Sequence, residues 1–368
     1  MQQPSRSCAG CTKPFGWFSS GVLCPNPPIG ASEAPTKPDA QSPTLGCGKR
    51  FCSACTNFAL VTASDADAAI ASGDLAKAYV RTFCRTCFKN AGPLDWTSTE
   101  GAQADGVDLL EPSGDAAPTG ATIFWAHGGG GSRLMFRPHA EALAASGYRC
   151  VLFDFPGHGR LMDAPLSMDT AIERIVSVVQ KYGSKEGGKN VYVGGSLGGY
   201  IGMEMLARHP TLFSSAVICM CGQCVGHGAG LAARLGLVLL SHLSSWLSSA
   251  TLLTSMRSTF SANGNMDQKM MLDTALRTGF YFEQNMQQIE ILRASDPAAA
   301  LAKYPAPVLF CNGSKDHRDS EKKWLSVSNG ANGGKSKLIC YEGGDHGFSH
   351  DKRFKDTFIE EIKTFISA

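Results

Sequence analysis

Residues 190–210 read NVYVGGSLGGYIGMEMLARHP, and the reading of this stretch decides the fold. NVYV suits a short buried strand, while GYIGMEMLARHP carries a helical apolar pattern. Between them lies Gly194-Gly195-Ser196-Leu197-Gly198. A serine on a sharp strand-to-helix turn needs small residues two before and two after it, because larger side chains collide there. Such a turn exposes the Ser196 hydroxyl at a helix N-terminus, where the Leu197 N–H can help bind a developing oxyanion. With 41 glycines in the chain, GxSxG alone could be a Gly-rich turn with a capping serine, so the weight rests on context.

Outward from the serine, apolar runs at 122–126 (TIFWA), 149–154 (RCVLFD), 216–220, 307–311 (PVLFC) and 337–341 (KLICY) read as further strands. Helical patterns at 136–146, 168–182, 198–208 and 354–367 alternate with them. Apolar strands alternating with helices predict a mostly parallel sheet covered on both faces. Residues 223–301 break the rhythm and read as a helical cap inserted before the penultimate strand. Its runs LGLVLLSHLSSWL and TGFYFEQNM would suit an acyl chain, or simply bury one another and the sheet edge.

A serine nucleophile needs a base, and the base an orienting acid. In this strand-turn-helix architecture they follow in the order serine, acid, histidine. Asp316 lies just past PVLFC and His346 just past KLICY, both in loops at strand C-termini where the sites of such sheets collect. His346 is therefore the expected base and Asp316 the acid. Asp319 is the alternative acid, His317 and His350 are rival bases, and Asp345 reads as a turn residue. The second oxyanion donor is expected in His127-Gly128-Gly129-Gly130-Gly131-Ser132, with Gly129 first and Gly130 second. His127 is read as holding the loop. A phosphate cradle is the rival, but no Gly-Lys-Ser/Thr follows, and GGKS at 333–336 precedes a strand. Cys219, Cys221 and Cys224 could bind a metal; burial as small apolar residues is the simpler reading.

Together HGGGGS, DFPGHGR (154–160), GGSLGG, NGSKDH and GGDHGF resemble the α/β-hydrolase superfamily over residues 105–368. The resemblance implies an α/β-hydrolase fold with a helical cap, and a carboxylic ester hydrolase, lipase or thioesterase working through an acyl-enzyme. Serine at 196 disfavours haloalkane dehalogenases and epoxide hydrolases, whose relatives carry aspartate there. The alternatives are a carbon–carbon bond hydrolase with the same triad, or an inactive hydrolase-fold adaptor. The expected substrate is a small-molecule or lipid ester.

Of the 14 cysteines, eight lie in the first 87 residues: Cys8, Cys11, Cys24, Cys47, Cys52, Cys55, Cys84 and Cys87. Three CxxC pairs suggest two structural zinc ions rather than disulfides. CGKRFCSAC (47–55) and VRTFCRTC (80–87) resemble FYVE-type zinc fingers. That resemblance implies a cross-brace: Cys8, Cys11, Cys52 and Cys55 on one ion, Cys24, Cys47, Cys84 and Cys87 on the other. It also implies docking to a protein partner or to a phosphoinositide membrane. SSGVLC stands where the lipid-binding fingers carry a basic run, so protein docking or a structural role comes first. The expected organisation is a finger at 1–90 with a Pro-rich insertion at 25–46, a linker at 91–106 and a hydrolase unit at 107–368.

Formal net charge is only +2, which gives no field for nucleic-acid binding. MQQPSRSCAGC lacks the apolar stretch of a secretory signal, and the most apolar segment (230–253) is interrupted by Arg234, His242 and serines. A cytoplasmic protein is expected, with endosomal membrane association if the finger binds phosphoinositide.

Overall fold

In the computed structural model the described residues are 105–184, 188–222, 264–276, 278–279, 285–316 and 319–368, with short pieces at 22–23, 50–51, 58–61, 63–72, 80–83, 235–236, 239 and 253–254. The apolar runs of the sequence form a seven-stranded sheet. Its strands are β1 (Val107–Leu110), β2 (Ala121–Ala126), β3 (Arg149–Phe153), β4 (Lys189–Gly195), β5 (Ser215–Cys219), β6 (Val308–Gly313) and β7 (Lys337–Tyr341). The spatial order is β7-β6-β5-β4-β2-β3-β1. All neighbours are parallel except β1, which runs antiparallel to β3 at the edge.

Every residue of β2 and β6 is buried, as expected of strands covered on both faces. The period of two survives inside these apolar runs. Ile123 and Trp125 face one core with Cys150, Leu152, Val191, Val193, Val217 and Leu309. Phe124 and Ala126 face the other with Val151, Phe153, Tyr192, Ala216, Ile218 and Phe310. Register aligns Leu152, Trp125, Val193, Val217 and Leu309 into one row across five strands.

Helices α1 (Arg137–Ala144) and α7 (Lys355–Ser367) cover the Trp125 face. Helices α2 (Met168–Tyr182), α3 (Leu197–Arg208), α5 (Pro297–Leu301) and α6 (Ser320–Asn332) cover the other, and α4 (Asn285–Ala294) precedes α5. In α2, Ala171, Ile172, Ile175, Val178 and Val179 are buried at helical spacing, and a Ser167–Thr170 capping box starts the helix. Helix α3 is buried nearly all round, which is why its sequence is apolar on every face.

The zinc finger is a correction. Among the described residues no group of three or more His, Cys, Asp or Glu could hold a metal ion. Cys8, Cys11, Cys24, Cys47, Cys52, Cys55, Cys84 and Cys87 lie outside the described residues. In the first 90 residues the described elements are the antiparallel pairs Val22–Leu23 with Arg50–Phe51 and Phe58–Val61 with Val80–Phe83, and the helix Ala63–Ser72. No FYVE-type cross-brace and no pair of zinc ions is supported. Docking through it to phosphoinositide, an endosomal membrane or a protein partner is withdrawn with it. The physical reason is that CxxC fixes only two sulfurs within one local turn. Convergence of two such turns on one tetrahedral ion is a tertiary property that spacing does not encode. Among the described residues no helix is long and apolar enough to cross a membrane.

Candidate active site

Ser196 sits between β4 and α3 with φ 51° and ψ −119°, a backbone region that side chains other than glycine rarely adopt. Two glycines make the turn possible. A Cβ on Gly194 would lie 2.7 Å from Gly198 O, and one on Gly198 2.6 Å from Ala126 O. Both obstacles are backbone, so neither can yield, which is the steric demand of a strand-to-helix elbow. Ser196 N–H donates to Cys219 O (2.9 Å), tying the turn to β5.

Two loops bring the partners in. After β6, Asp316 N–H donates to Gly313 O (3.0 Å). Ser314 N–H donates to Tyr341 O and Lys315 N–H to Gly344 O (2.9 Å each), lacing the acid loop to the histidine loop. Asp345 Oδ1 accepts from Gly347 N–H (2.8 Å), a local turn consistent with its reading. His346 then stands between Ser196 and Asp316. Its Nδ1 is 2.8 Å from Asp316 Oδ2 and its Nε2 is 3.2 Å from Ser196 Oγ. A carboxylate only accepts, so Nδ1 carries the proton and Nε2 presents its lone pair to the serine hydroxyl. Asp316 is buried, while the His346 side chain is 44% exposed.

The rivals stand elsewhere. Asp319 is exposed and pairs with Lys322 (2.6 Å). His350 is buried, with Nε2 donating to Met135 O (3.1 Å) and Nδ1 accepting from Ser349 Oγ (2.9 Å). His317 and Cys224 lie outside the described residues. Cys219 and Cys221 are buried thiols, and burial pushes both well above the usual thiol range. Cys221 donates to Ser196 O (3.3 Å), so it backs the turn as a small packing residue.

The glycine loop after β2 lies against the serine turn. A Cβ on Gly128 would meet Ser196 Cβ at 3.3 Å, and one on Gly129 would meet Leu197 Cβ at 3.8 Å. Gly128 N–H donates to Met135 Sδ (3.3 Å), Gly130 N–H to His158 Nε2 (3.3 Å) and Gly131 N–H to Gly128 O (3.2 Å). The Gly129 N–H has no acceptor among the described residues. Leu197 N–H, in the first turn of α3, is likewise left over by the helix. His127 holds the loop as expected: Nδ1 donates to Gly128 O (2.8 Å) and Nε2 accepts from Phe155 N–H (3.1 Å). Burial pulls its pKa down to about 4, so the ring is neutral.

Sequence reasoning missed two supports. Arg133, fully buried, donates through its backbone N–H to Asp154 Oδ1 (2.8 Å) and through its guanidinium to Asp154 Oδ2 (2.8 Å) and Asp108 Oδ1 (3.0 Å). Asp154 therefore anchors the glycine loop. An arginine beside a run of glycines, with Asp154 at the end of the apolar run RCVLF, was the available signal. Gln288 on α4 reaches His158, and nothing in its sequence neighbourhood marked it.

The returning chain before α4 is stapled to the histidine loop. Met266 pairs with Asp351 as an antiparallel bridge, Asp267 N–H donates to His350 O (2.9 Å), Lys352 N–H to Asn265 O (2.8 Å), and Lys355 Nζ meets Asp267 Oδ2 (2.7 Å).

A family model described as the alpha/beta hydrolase family matches residues 123–358. An AB hydrolase superfamily protein of Gibberella zeae is 28% identical over 102 residues, which is 27% of this chain and 36% of that protein's length. Among solved structures, MenH from S. aureus superposes with a TM-score of 0.55 at 14% identity, over 71% of this chain and 98% of that one. An esterase from Exiguobacterium antarcticum does so with a TM-score of 0.52 at 17% identity, over 71% and 95%. At such identities these two structures speak for the fold alone.

Proposed function

The chain is an enzyme of the alpha/beta hydrolase family, and we propose that it hydrolyses a carboxylic ester or thioester through an acyl-enzyme on Ser196. The observation that carries this reading is the pair of contacts at His346, 3.2 Å to Ser196 Oγ and 2.8 Å to Asp316 Oδ2. In this reading His346 Nε2 takes the hydroxyl proton as Ser196 Oγ attacks the carbonyl carbon. Asp316 holds the ring by Nδ1 and stabilises the imidazolium that forms. The tetrahedral oxyanion faces the N–H groups of Leu197 and Gly129, with Gly130 excluded by its bond to His158. His346 then gives its proton to the departing alcohol or thiol. Water attacks the acyl group by the same relay and releases the acid. Residues 107–368 are the catalytic unit of this proposal, and residues 223–301 its inserted segment over the site.

The test is a fluorophosphonate probe with an ester and thioester panel of graded acyl length on the purified full chain. Wild type is expected to label and turn over. Ser196→Ala is expected to lose labelling and at least about 10,000-fold in kcat. Labelling that persists in Ser196→Ala would sink the assignment.

A further inference from the structure

Helix α4 comes from the segment between β5 and β6, and its buried Gln288 reaches the glycine loop. The amide Nε2 lies 3.2 Å from His158 Nε2. The other ring nitrogen, Nδ1, is 3.0 Å from Pro156 O. A carbonyl only accepts, so Nδ1 carries the proton and Nε2 offers the lone pair. Burial keeps the ring neutral, with its pKa drawn down to about 3. Gln288 Nε2 is thus the donor to His158. The same lone pair receives the Gly130 N–H (3.3 Å). At its other end the amide stands beside Gly129: a Cβ there would come within 2.4 Å of Gln288 Oε1. One planar amide therefore touches both consecutive glycines, Gly130 through His158 and Gly129 directly. A Cβ on Gly129 would also meet Leu197 Cβ, at 3.8 Å.

We propose that Gln288 is a positioning residue for the oxyanion site, holding the 127–132 loop in register with Ser196 through His158, so that the site is complete only when α4 is seated. The proposal rests on the hydrolytic reading for its effect on turnover, but its geometric part does not. Preorganised donors contribute only where they are already aimed at the developing charge. The four glycines at 128–131 have no side chains of their own to hold that aim. His127 and Arg133 fix the two ends of the loop, and Gln288 adds a hold on its middle, from outside the loop and from late in the chain. Its contribution should fall on the transition state rather than on substrate binding.

The experiment uses Gln288→Met, nearly equal in volume but without a donor, and Gln288→Asn, with the same chemistry one methylene short. On an ester the wild type turns over, both are expected to lower kcat about tenfold or more while KM moves by less than about threefold. Hydrogen exchange of the peptide covering residues 127–135 is expected to speed up about tenfold in both variants. In a His158→Phe background, adding Gln288→Met should lower kcat by less than about threefold, because its hold on Gly130 passes through His158 and only the contact with Gly129 remains. Thermal melts identify a variant that fails to fold, and the remaining variant then carries the comparison. Wild-type kcat and exchange in both variants overturn the proposal. So does a kcat loss with unchanged exchange in residues 127–135, or full additivity with His158→Phe. A wild type that neither labels nor hydrolyses ends the hydrolytic reading, while the exchange result still decides whether Gln288 holds the loop.

Discussion

The Ser196 backbone, at φ 51° and ψ −119°, holds a side chain where glycine would be more comfortable. Strain of this kind costs on the order of 1–3 kcal/mol and persists only where the surroundings enforce it. Two variants separate chemistry from strain. Ser196→Ala removes the hydroxyl and keeps the strained Cβ. Ser196→Gly removes both and is expected to melt higher than Ser196→Ala by an amount worth about 1 kcal/mol, measured by urea unfolding. Equal stabilities would show that the turn is relaxed. The sequence disclosed this residue because the elbow demands small neighbours at fixed offsets, and Gly194 and Gly198 meet backbone oxygens there. That Asp316 and His346 meet beside Ser196 was legible from their places after strands. Gln288 was not, because one glutamine on a helix carries no spacing signal; only the fold brings it to His158.

Elements were legible in proportion to how apolar their buried positions are. The central strands announced themselves, since both faces are covered and nearly every residue is hydrophobic. Helix α6 did not. Its buried positions are Glu321, Trp324, Ser328 and Asn332, and Asn332 Nδ2 donates to Ser336 Oγ (2.7 Å) beneath it. The helical period is present, but in polar residues. Edge strand β1 was hidden likewise, because its Asp108 is buried by Arg133 rather than by apolar packing. That ion network joins β1, the glycine loop and the end of β3. Arg133→Met would strip the buried guanidinium from both carboxylates, leaving Asp108 only the part-exposed Arg137 (3.2 Å) and Asp154 only the backbone N–H groups of residues 133 and 160. It is expected to cost about 3–5 kcal/mol of stability, read as a shift in the urea midpoint with the slope unchanged. A loss below about 1 kcal/mol would mean that solvent reaches these carboxylates.

Four buried histidines among the described residues set an acid limit on the fold. Burial draws His127 and His350 down to about 4, and His139 and His158 to about 3. In the unfolded chain each takes up a proton near pH 6.5. The stability they represent is therefore complete above about pH 6.5 and drains as the pH falls toward the folded values, by up to about 1.4 kcal/mol per unit for each ring. The urea midpoint is expected to drop steeply between about pH 6 and 4. His139→Gln should flatten that slope, since an amide can still donate to Ser349 O, the 2.7 Å partner of His139 Nε2. A midpoint that is level across this range would refute neutral burial.

The bridge of Met266 with Asp351, together with the bonds of Asn265 and Asp267 to Lys352, His350 and Lys355, bears on how the chain tolerates cutting. A single nick between Gly279 and Asn285 leaves the two fragments sewn together by this ribbon and by β5 beside β6. The nicked protein should elute as one species under native conditions and part into two bands only in denaturant.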